Sequence, residues 1–517
     1  VKGIALSNHH HDEDDAQLAA LGFDSTFKRD MSLWANFSLG FTYLSPVVGI
    51  YTVFAFAFAL AAAGPPMIWS LLIAGAGQML VALIFSEIVA QFPVAGGVYP
   101  WARRLWGRKW AWLTGWVYMF ALLATIAGVA YGAGPFLSTV LGIDVSPQTT
   151  ILCALGILAV ATLINLTGTR MLSYFAIFGF TAELIGALVV GAWLLLTERR
   201  HGLGVLFDSF GAQGSHSFLY AFLAASLIGV YQYYGFEACG DVAEEVKNPG
   251  FQIPKSMRRT IYIGGAAATF VCLSLILSVV DFGAVIRGED ADPISTILAE
   301  AFGTFGSKVV LSVVLISFVS CALSLQAAAS RLIYSYGRDD MIVGSRLWAR
   351  FDTKRHVPPY ALLAAVVIPA VLIVGSILSA DALTRLISFG SVGIYIAFQM
   401  VVFAALRARL KGWQPSGKYQ LGKWGMVVNV AALVYGVLAI INIAWPRTPD
   451  APWYDNYIVL VMSGLVIGTG LLYMVVARSH VNGDAPHGDA IPGAPAPATE
   501  LHDVASANSV EATSDAR

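Results

Sequence analysis

Residues 231–240 read Tyr231-Gln232-Tyr233-Tyr234-Gly235-Phe236-Glu237-Ala238-Cys239-Gly240, two glycines bracketing a carboxylate at the end of an apolar run that begins near residue 217. Glycine weakens a helix, and backbone left unpaired at membrane depth is tolerated only where protein buries it or a cavity faces it. The stretch therefore predicts a discontinuous helix. A second interruption lies upstream in Thr42-Tyr43-Leu44-Ser45-Pro46-Val47-Val48-Gly49-Ile50, where Pro46 removes a helix hydrogen bond and Gly49 loosens the following turn. Alone, that segment reads as well as a simple proline kink; beside the first it reads as its counterpart.

The composition around these breaks excludes a soluble chain. Of 517 residues, 57% are hydrophobic and 12% charged, about half the charged share of a soluble globular protein. A net charge of −1 supplies no field for nucleic acid, which is set aside as a partner. A bilayer core about 30 Å thick is crossed by about 20 mainly apolar helical residues. No Asp, Glu, Lys or Arg occurs from Met31 to Ser86, which is room for two spans with Gly64-Pro65-Pro66 as the turn. Read onward, spans fall near 33–60, 67–90, 110–141, 149–168, 171–196, 217–240, 260–281, 306–335, 359–379, 382–406, 424–445 and 456–477. The interrupted spans are the first and sixth, and the long third and eighth are likewise five apart.

This spacing predicts an all-α integral membrane protein of twelve transmembrane helices, built as a five-plus-five inverted repeat. The repeats cover about 33–196 and 217–406, each opening on a discontinuous helix, and two extra helices occupy about 424–477. The substrate site is then expected between the two breaks at the midplane. Half-helix N-termini would offer N–H groups to a carboxylate, and freed carbonyls would accept from an ammonium or a cation.

With both termini cytoplasmic, 25 of the 31 Lys and Arg fall on the cytoplasmic side, a strong positive-inside bias. The expectation is a multi-pass protein of the cell (plasma) membrane, in contact with its lipid. Residues 1–32 carry His9-His10-His11-Asp12-Glu13-Asp14-Asp15 and no apolar core for a signal peptide, so they read as a cytoplasmic tail before the domain at 33–477. Residues 478–517, rich in Pro, Ala, Gly and Asp, read as a disordered cytoplasmic tail. Cys153, Cys239, Cys272 and Cys321 lie in apolar runs without CxxC spacing and read as small buried thiols.

Four ordered motifs resemble the amino acid-polyamine-organocation superfamily, in its amino acid/choline transporter branch. They are Leu18-Ala-Ala-Leu21-Gly22-Phe23 with Phe27-Lys28-Arg29; Glu87-Ile-Val-Ala-Gln-Phe-Pro93-Val-Ala-Gly96-Gly97-Val-Tyr99; Gly235-Phe-Glu237-Ala-Cys running into Ala243-Glu244-Glu245-Val-Lys247-Asn248-Pro249 and Ile253-Pro254; and Ser330-Arg331 with Tyr336-Gly337-Arg338-Asp339-Asp340, leading through His356-Val-Pro358-Pro359. The likeness spans about Leu18 to Arg478. It implies the leucine-transporter-like fold and alternating-access transport of amino acids, 4-aminobutyrate, choline or related amines. It also implies that Ser45, Pro46, Val47, Val48, Gly49 and Ile50 hold the polar end of the substrate. Tyr231 matches an aromatic gate, while Tyr234, Gly235 and Phe236 line the second break; Tyr118 is a candidate facing aromatic without a motif of its own.

A carboxylate at the bilayer centre costs about 2.5 to 3.5 kcal/mol on insertion scales, which makes each one kept there a functional candidate. Glu237 is a candidate to carry a coupling proton or to steady the broken helix. Glu183 falls where some proton-coupled relatives hold a lysine; it reads as a cation ligand, a titrating group, a partner of a polar group on the first or eighth span, or a carboxyl satisfied locally. Ser317, Ser320 and Ser324 recur on one helix face and make a possible sodium site, with packing serines as the plain alternative. Glu87, Arg103 and Arg104 read as cytoplasmic loop architecture.

Neither a nucleophile triad, a metal-ligand cluster nor a phosphate-binding loop is present in the sequence, so no enzyme activity, metal or cofactor is expected. The reading is a secondary transporter importing an amino acid or related small amine, coupled to a proton or a sodium ion. A choline or polyamine transporter and an amino acid exchanger stand as alternatives within the class; a nutrient sensor and a channel stand outside it. The oligomeric state is left open.

Overall fold

Prolines and small polar caps start most of the long helices in the computed structural model, which describes residues 13–24, 26–378, 382–448, 450–481 and 485–492. A proline at the first helical position wastes no hydrogen bond and arrives with the right φ. Pro46, Pro147, Pro249, Pro293 and Pro359 all sit there. Ser32 accepts from the Ala35 N–H at 3.2 Å, and Ser146 with Thr149 forms a reciprocal capping box.

The helices that build the bundle are α1 (Leu33–Leu44), α2 (Pro46–Phe58), α3 (Ile68–Gln91), α4 (Val98–Leu105), α5 (Arg108–Leu141), α6 (Pro147–Asn165), α7 (Thr169–Thr197), α8 (Phe218–Ala225), α9 (Leu227–Gln232), α10 (Ala238–Asp241), α11 (Pro249–Ser278), α12 (Pro293–Arg338), α13 (Pro359–Gly375), α14 (Ala382–Leu410), α15 (Gly425–Ala444) and α16 (Ile458–Ala477). Among the described residues, ten helical stretches are long and apolar enough to cross a membrane, and the stretches Phe218–Gln232 and Pro359–Gly375 are apolar but shorter. The first of these is short because the helix stops at the Tyr233–Glu237 break. Ten of the twelve expected spans coincide with the ten long stretches; the expected sixth and ninth fall on the two shorter helices.

Two boundaries differ from expectation. α12 begins at Pro293 rather than near 306, because Gly303 (φ 64°, ψ −179°) bends the chain and joins a preliminary helix to the long one. α11 begins at Pro249 rather than near 260, carrying Lys255, Arg258 and Arg259 on helical turns that extend past the apolar segment. The helix α4 lies inside a segment read only as a loop; there Arg103 pairs with buried Asp339 and Arg104 with half-buried Asp489.

Burial sorts the bundle into centre and rim. In the most apolar window of α1–α2 and of α5, 83% is buried, against 28% for α7 and 11% for α16. α11 packs along α3, α14 along α5 and α15, and α12 against α5, α6 and α7. Both interrupted stretches, α1–α2 and α8–α10, therefore lie inside a sleeve of continuous helices. That is where broken backbone at membrane depth can be satisfied.

The expected tails fall partly outside the described residues, at 1–12 and 493–517. Residues 485–492, assigned by sequence to the second tail, lie against α4: Gly488 N–H donates to the Arg103 carbonyl at 2.8 Å, Ala490 N–H to that of Arg104 at 3.2 Å, and Arg104 pairs with Asp489.

Candidate functional site

At the first break α1 ends on Leu44, Ser45 turns the chain with φ 40°, and α2 restarts on Pro46. A restarted helix exposes N–H groups that need acceptors. Pro46 has none; Val47 N–H donates to Glu183 Oε1 at 3.0 Å, Val48 N–H to Ser45 Oγ at 3.2 Å, and Gly49 N–H to the Ser45 carbonyl at 3.0 Å. Ser45 Oγ in turn donates to Glu183 Oε1 at 2.6 Å. The donors expected to receive a substrate carboxylate are thus met by Glu183, a carboxylate from α7. Of the readings open for Glu183, pairing with a polar group of the first span is the one this geometry displays.

On the carbonyl side, Gln232 Nε2 donates to Leu44 O at 3.2 Å and Ser45 O at 3.4 Å, and Cys321 Sγ donates to Tyr43 O at 3.3 Å. Gly49 is required for this approach, since a side chain there would collide with that of Gln232.

The second break runs from Tyr233 to Glu237, between α9 and α10. Gly235 has φ +113°, a region closed to L side chains. Its N–H donates to Glu237 Oε2 at 2.7 Å, so the intramembrane carboxylate satisfies backbone within the break itself. The Tyr118 hydroxyl lies 3.1 Å from Glu237 Oε1 and 3.2 Å from Asp241 Oδ2. All three side chains are buried. Asp241 was missed by the sequence reading, which ended the sixth span at residue 240. Its spacing of four from Glu237 was the available signal, because such residues share one helix face.

Between the two breaks lies a cavity of about 10 Å³, walled by Tyr43, Val48, Thr125, Tyr231, Tyr234 and Cys321 among others. That is about the room of one water. Tyr231 and Tyr234 meet edge to face with centroids 5.6 Å apart. Among the described residues no charged side chain lines the cavity. Of the expected binding residues, Val48, Gly49, Tyr231 and Tyr234 come together here, joined by Tyr43 and Thr125, which sequence reasoning did not single out. Tyr118 faces the carboxyl pair instead. Phe236 packs into an aromatic cluster with Phe85 and Phe398, 5.8 and 5.5 Å away, and Ser45, Pro46, Val47 and Ile50 serve the turn itself.

The three serines of α12 are buried but do not converge. Ser317 and Ser324 are separated by about 10 Å along the axis, too far to share one ion. Ser317 bonds back to the Val313 carbonyl at 3.5 Å, Ser320 sits against Gly179, and Ser324 lies 2.9 Å from Thr42 Oγ1. Among the described residues no group of three or more His, Cys, Asp or Glu could hold a metal.

The sequence motifs meet at one end of the bundle as buried ion pairs. Arg331 binds Glu245 at 2.8 Å, with Thr169 Oγ1 donating to the same carboxylate at 2.5 Å. Arg338 binds Glu244 at 2.9 Å, Arg103 binds Asp339, and Arg409 binds Glu87. Buried charges persist only when paired and hydrogen-bonded, so this end is tied together by charges from both halves of the chain.

Against known proteins, residues 31–468 match the family model described as Amino acid permease. The chain belongs to the amino acid permease family, within the amino acid-polyamine-organocation superfamily. The permease is 26% identical over 504 residues to the amino-acid permease BAT1 homolog of Oryza sativa subsp. japonica, covering 91% of this chain and 95% of that one. It is 22% identical to a putative polyamine transporter of Candida albicans, covering 92% and 90%. Its fold is similar to that of the Eremococcus coleocola manganese transporter, solved with an aromatic bis-isothiourea compound, at TM-score 0.55 and 13% identity over 87% and 94% of the two chains. The permease is therefore a multi-pass integral membrane protein with a leucine-transporter-like fold, a secondary transporter of amino acids or amines rather than a catalyst.

Proposed function

We propose that the permease imports an amino acid or a related small amine such as 4-aminobutyrate by alternating access, driven by a proton gradient. The observation that carries the reading is the single Tyr118 hydroxyl shared by Glu237 and Asp241 directly beneath the second break. One phenol has one proton to donate, so a carboxyl that finds no donor there must bring a proton of its own. The pair is then a buried proton store whose occupancy bears on the break, where Glu237 holds the Gly235 N–H. The separation of Ser317 from Ser324 favours a proton over sodium.

The same reading takes Phe218–Gln232 and Pro359–Gly375 as full members of a twelve-helix, five-plus-five repeat, with α15 and α16 outside it. Both termini are placed in the cytoplasm of a plasma-membrane protein, so the end closed by Arg331–Glu245 faces inward. Tyr43, Tyr231 and Tyr234 would hold the substrate's ammonium by their ring faces.

A second reading, a choline or polyamine transporter, draws on one observation: Glu183 already occupies the Val47 N–H, and Ser45 those of Val48 and Gly49, that a substrate carboxylate would use. Uptake into proteoliposomes of labelled amino acids, 4-aminobutyrate, choline and a polyamine, under separately imposed pH and sodium gradients, decides between them. Acid outside should drive saturable uptake of an amino acid or 4-aminobutyrate; uptake of none of the panel overturns the reading, and uptake driven only by sodium overturns its coupling. Glu237→Gln keeps an acceptor for the Gly235 N–H but cannot ionise. It should abolish accumulation driven by pH while sparing exchange, and unchanged accumulation would remove Glu237 from coupling.

A further inference from the structure

A larger cavity, of about 400 Å³, lies beside the first break and apart from the second, between α2, α7, α11 and α12, with Val47 and Tyr51 on its wall. Its walls are apolar, with Ile185, Val189, Val271, Val309 and Val313 among them. Ile185, Val189 and Val309 are more than half exposed on the bundle's outer surface, so its mouth opens toward lipid. Gly186 leaves the space that a side chain would take from Val313, whose Cγ1 would lie 2.7 Å from an added Cβ.

The cavity also touches Glu183. Glu183 is 1% exposed. Its Oε1 is used twice, by Ser45 and Val47, but its Oε2 is buried and has no hydrogen-bond partner among the described residues. A buried acceptor without a donor is costly, and hydrocarbon chains cannot supply one. A pocket with mainly apolar walls beside a buried carboxylate whose second oxygen lacks a partner fits a molecule with an alkyl body and an ammonium head. Its volume falls in the range of small-molecule sites, roughly 300–1,000 Å³.

We propose that this pocket is a lipid-side binding site for amphiphilic amines, with Glu183 Oε2 as the anchor for the ammonium and α7 and α12 holding the chain. The site is separate from the cavity between the breaks, sharing neither Tyr231 nor Tyr234. An amine held there shares Glu183 with Ser45 and Val47, and so reaches the first break from the bilayer.

The test uses the full chain in lipid nanodiscs and decylamine bearing a terminal diazirine, with the labelled peptides mapped by mass spectrometry. Light should attach the probe around 185–189 and 309–313. Glu183→Gln should lower that labelling by about tenfold, the order expected for loss of a charge-assisted hydrogen bond, and the matching decanol probe should label no better than the amine does in that variant. Val313→Trp fills the pocket without altering the carboxylate, and should remove the labelling in protein that elutes as the wild type does. Equal labelling by the alcohol, undiminished labelling in Glu183→Gln, or persistence of the same peptides in Val313→Trp would each overturn the assignment.

Discussion

Gly235→Ala should reduce the initial rate of uptake in proteoliposomes by about tenfold or more at equal amounts of reconstituted protein. Two effects coincide at this residue. Its φ of +113° is one that an alanine reaches only under strain. An added Cβ would also sit 2.6 Å from the backbone nitrogen of Leu44 and 2.9 Å from the Tyr43 ring. Those neighbours belong to the other break, so relief of the clash must push the two interrupted helices apart. Gly288→Ala serves as the comparison: its φ is also positive, +73°, but an added Cβ would meet nothing within 4 Å. Uptake there should stay within about twofold of the wild type. A normal rate in Gly235→Ala would show that the second break does not hold this conformation during transport.

The same residue shows how far the sequence could be read. Span positions follow from apolar length, and the two breaks follow from Pro46 with Gly49 and from Gly235 with Gly240 taken together, since a proline alone does not suffice: Pro135, Pro254 and Pro369 lie inside continuous helices. What the breaks bind was less legible, since partners on other helices satisfy them. Glu183 lies 138 positions from Ser45, and only the packing of α7 on α1 brings it to the Val47 N–H. Nor does anything local to Gln232 announce that its amide covers the carbonyls of Leu44 and Ser45. Tyr118 was named without a motif, and nothing local to it announces that its hydroxyl lies beside the carboxylates of Glu237 and Asp241. The serines of α12 mark the opposite error: one helix face was read as one site, although residues seven apart are too distant to bind a single ion.

The buried ion pairs carry the second large expectation. Arg331 and Glu245 are each 1% exposed at the side chain, so removing either partner strands a charge inside protein. Arg331→Met should cost about 3–5 kcal/mol, seen as a marked drop in the melting midpoint of the detergent-solubilised chain. Glu245→Gln, which leaves the Thr169 hydroxyl an acceptor, should strand Arg331 in the same way. Combining the two removes both charges and should recover most of the lost midpoint, because a neutral pair in that space has no desolvation debt. Uptake is expected to stay well below wild type in the double variant. The pair ties the segment following Glu237 and Asp241 to α12, and a neutral contact there cannot hold this end of the bundle together through a transport cycle. Full recovery of uptake with the midpoint would make the pair a stabilising contact alone; no fall in midpoint for either single change would show that the charges reach water.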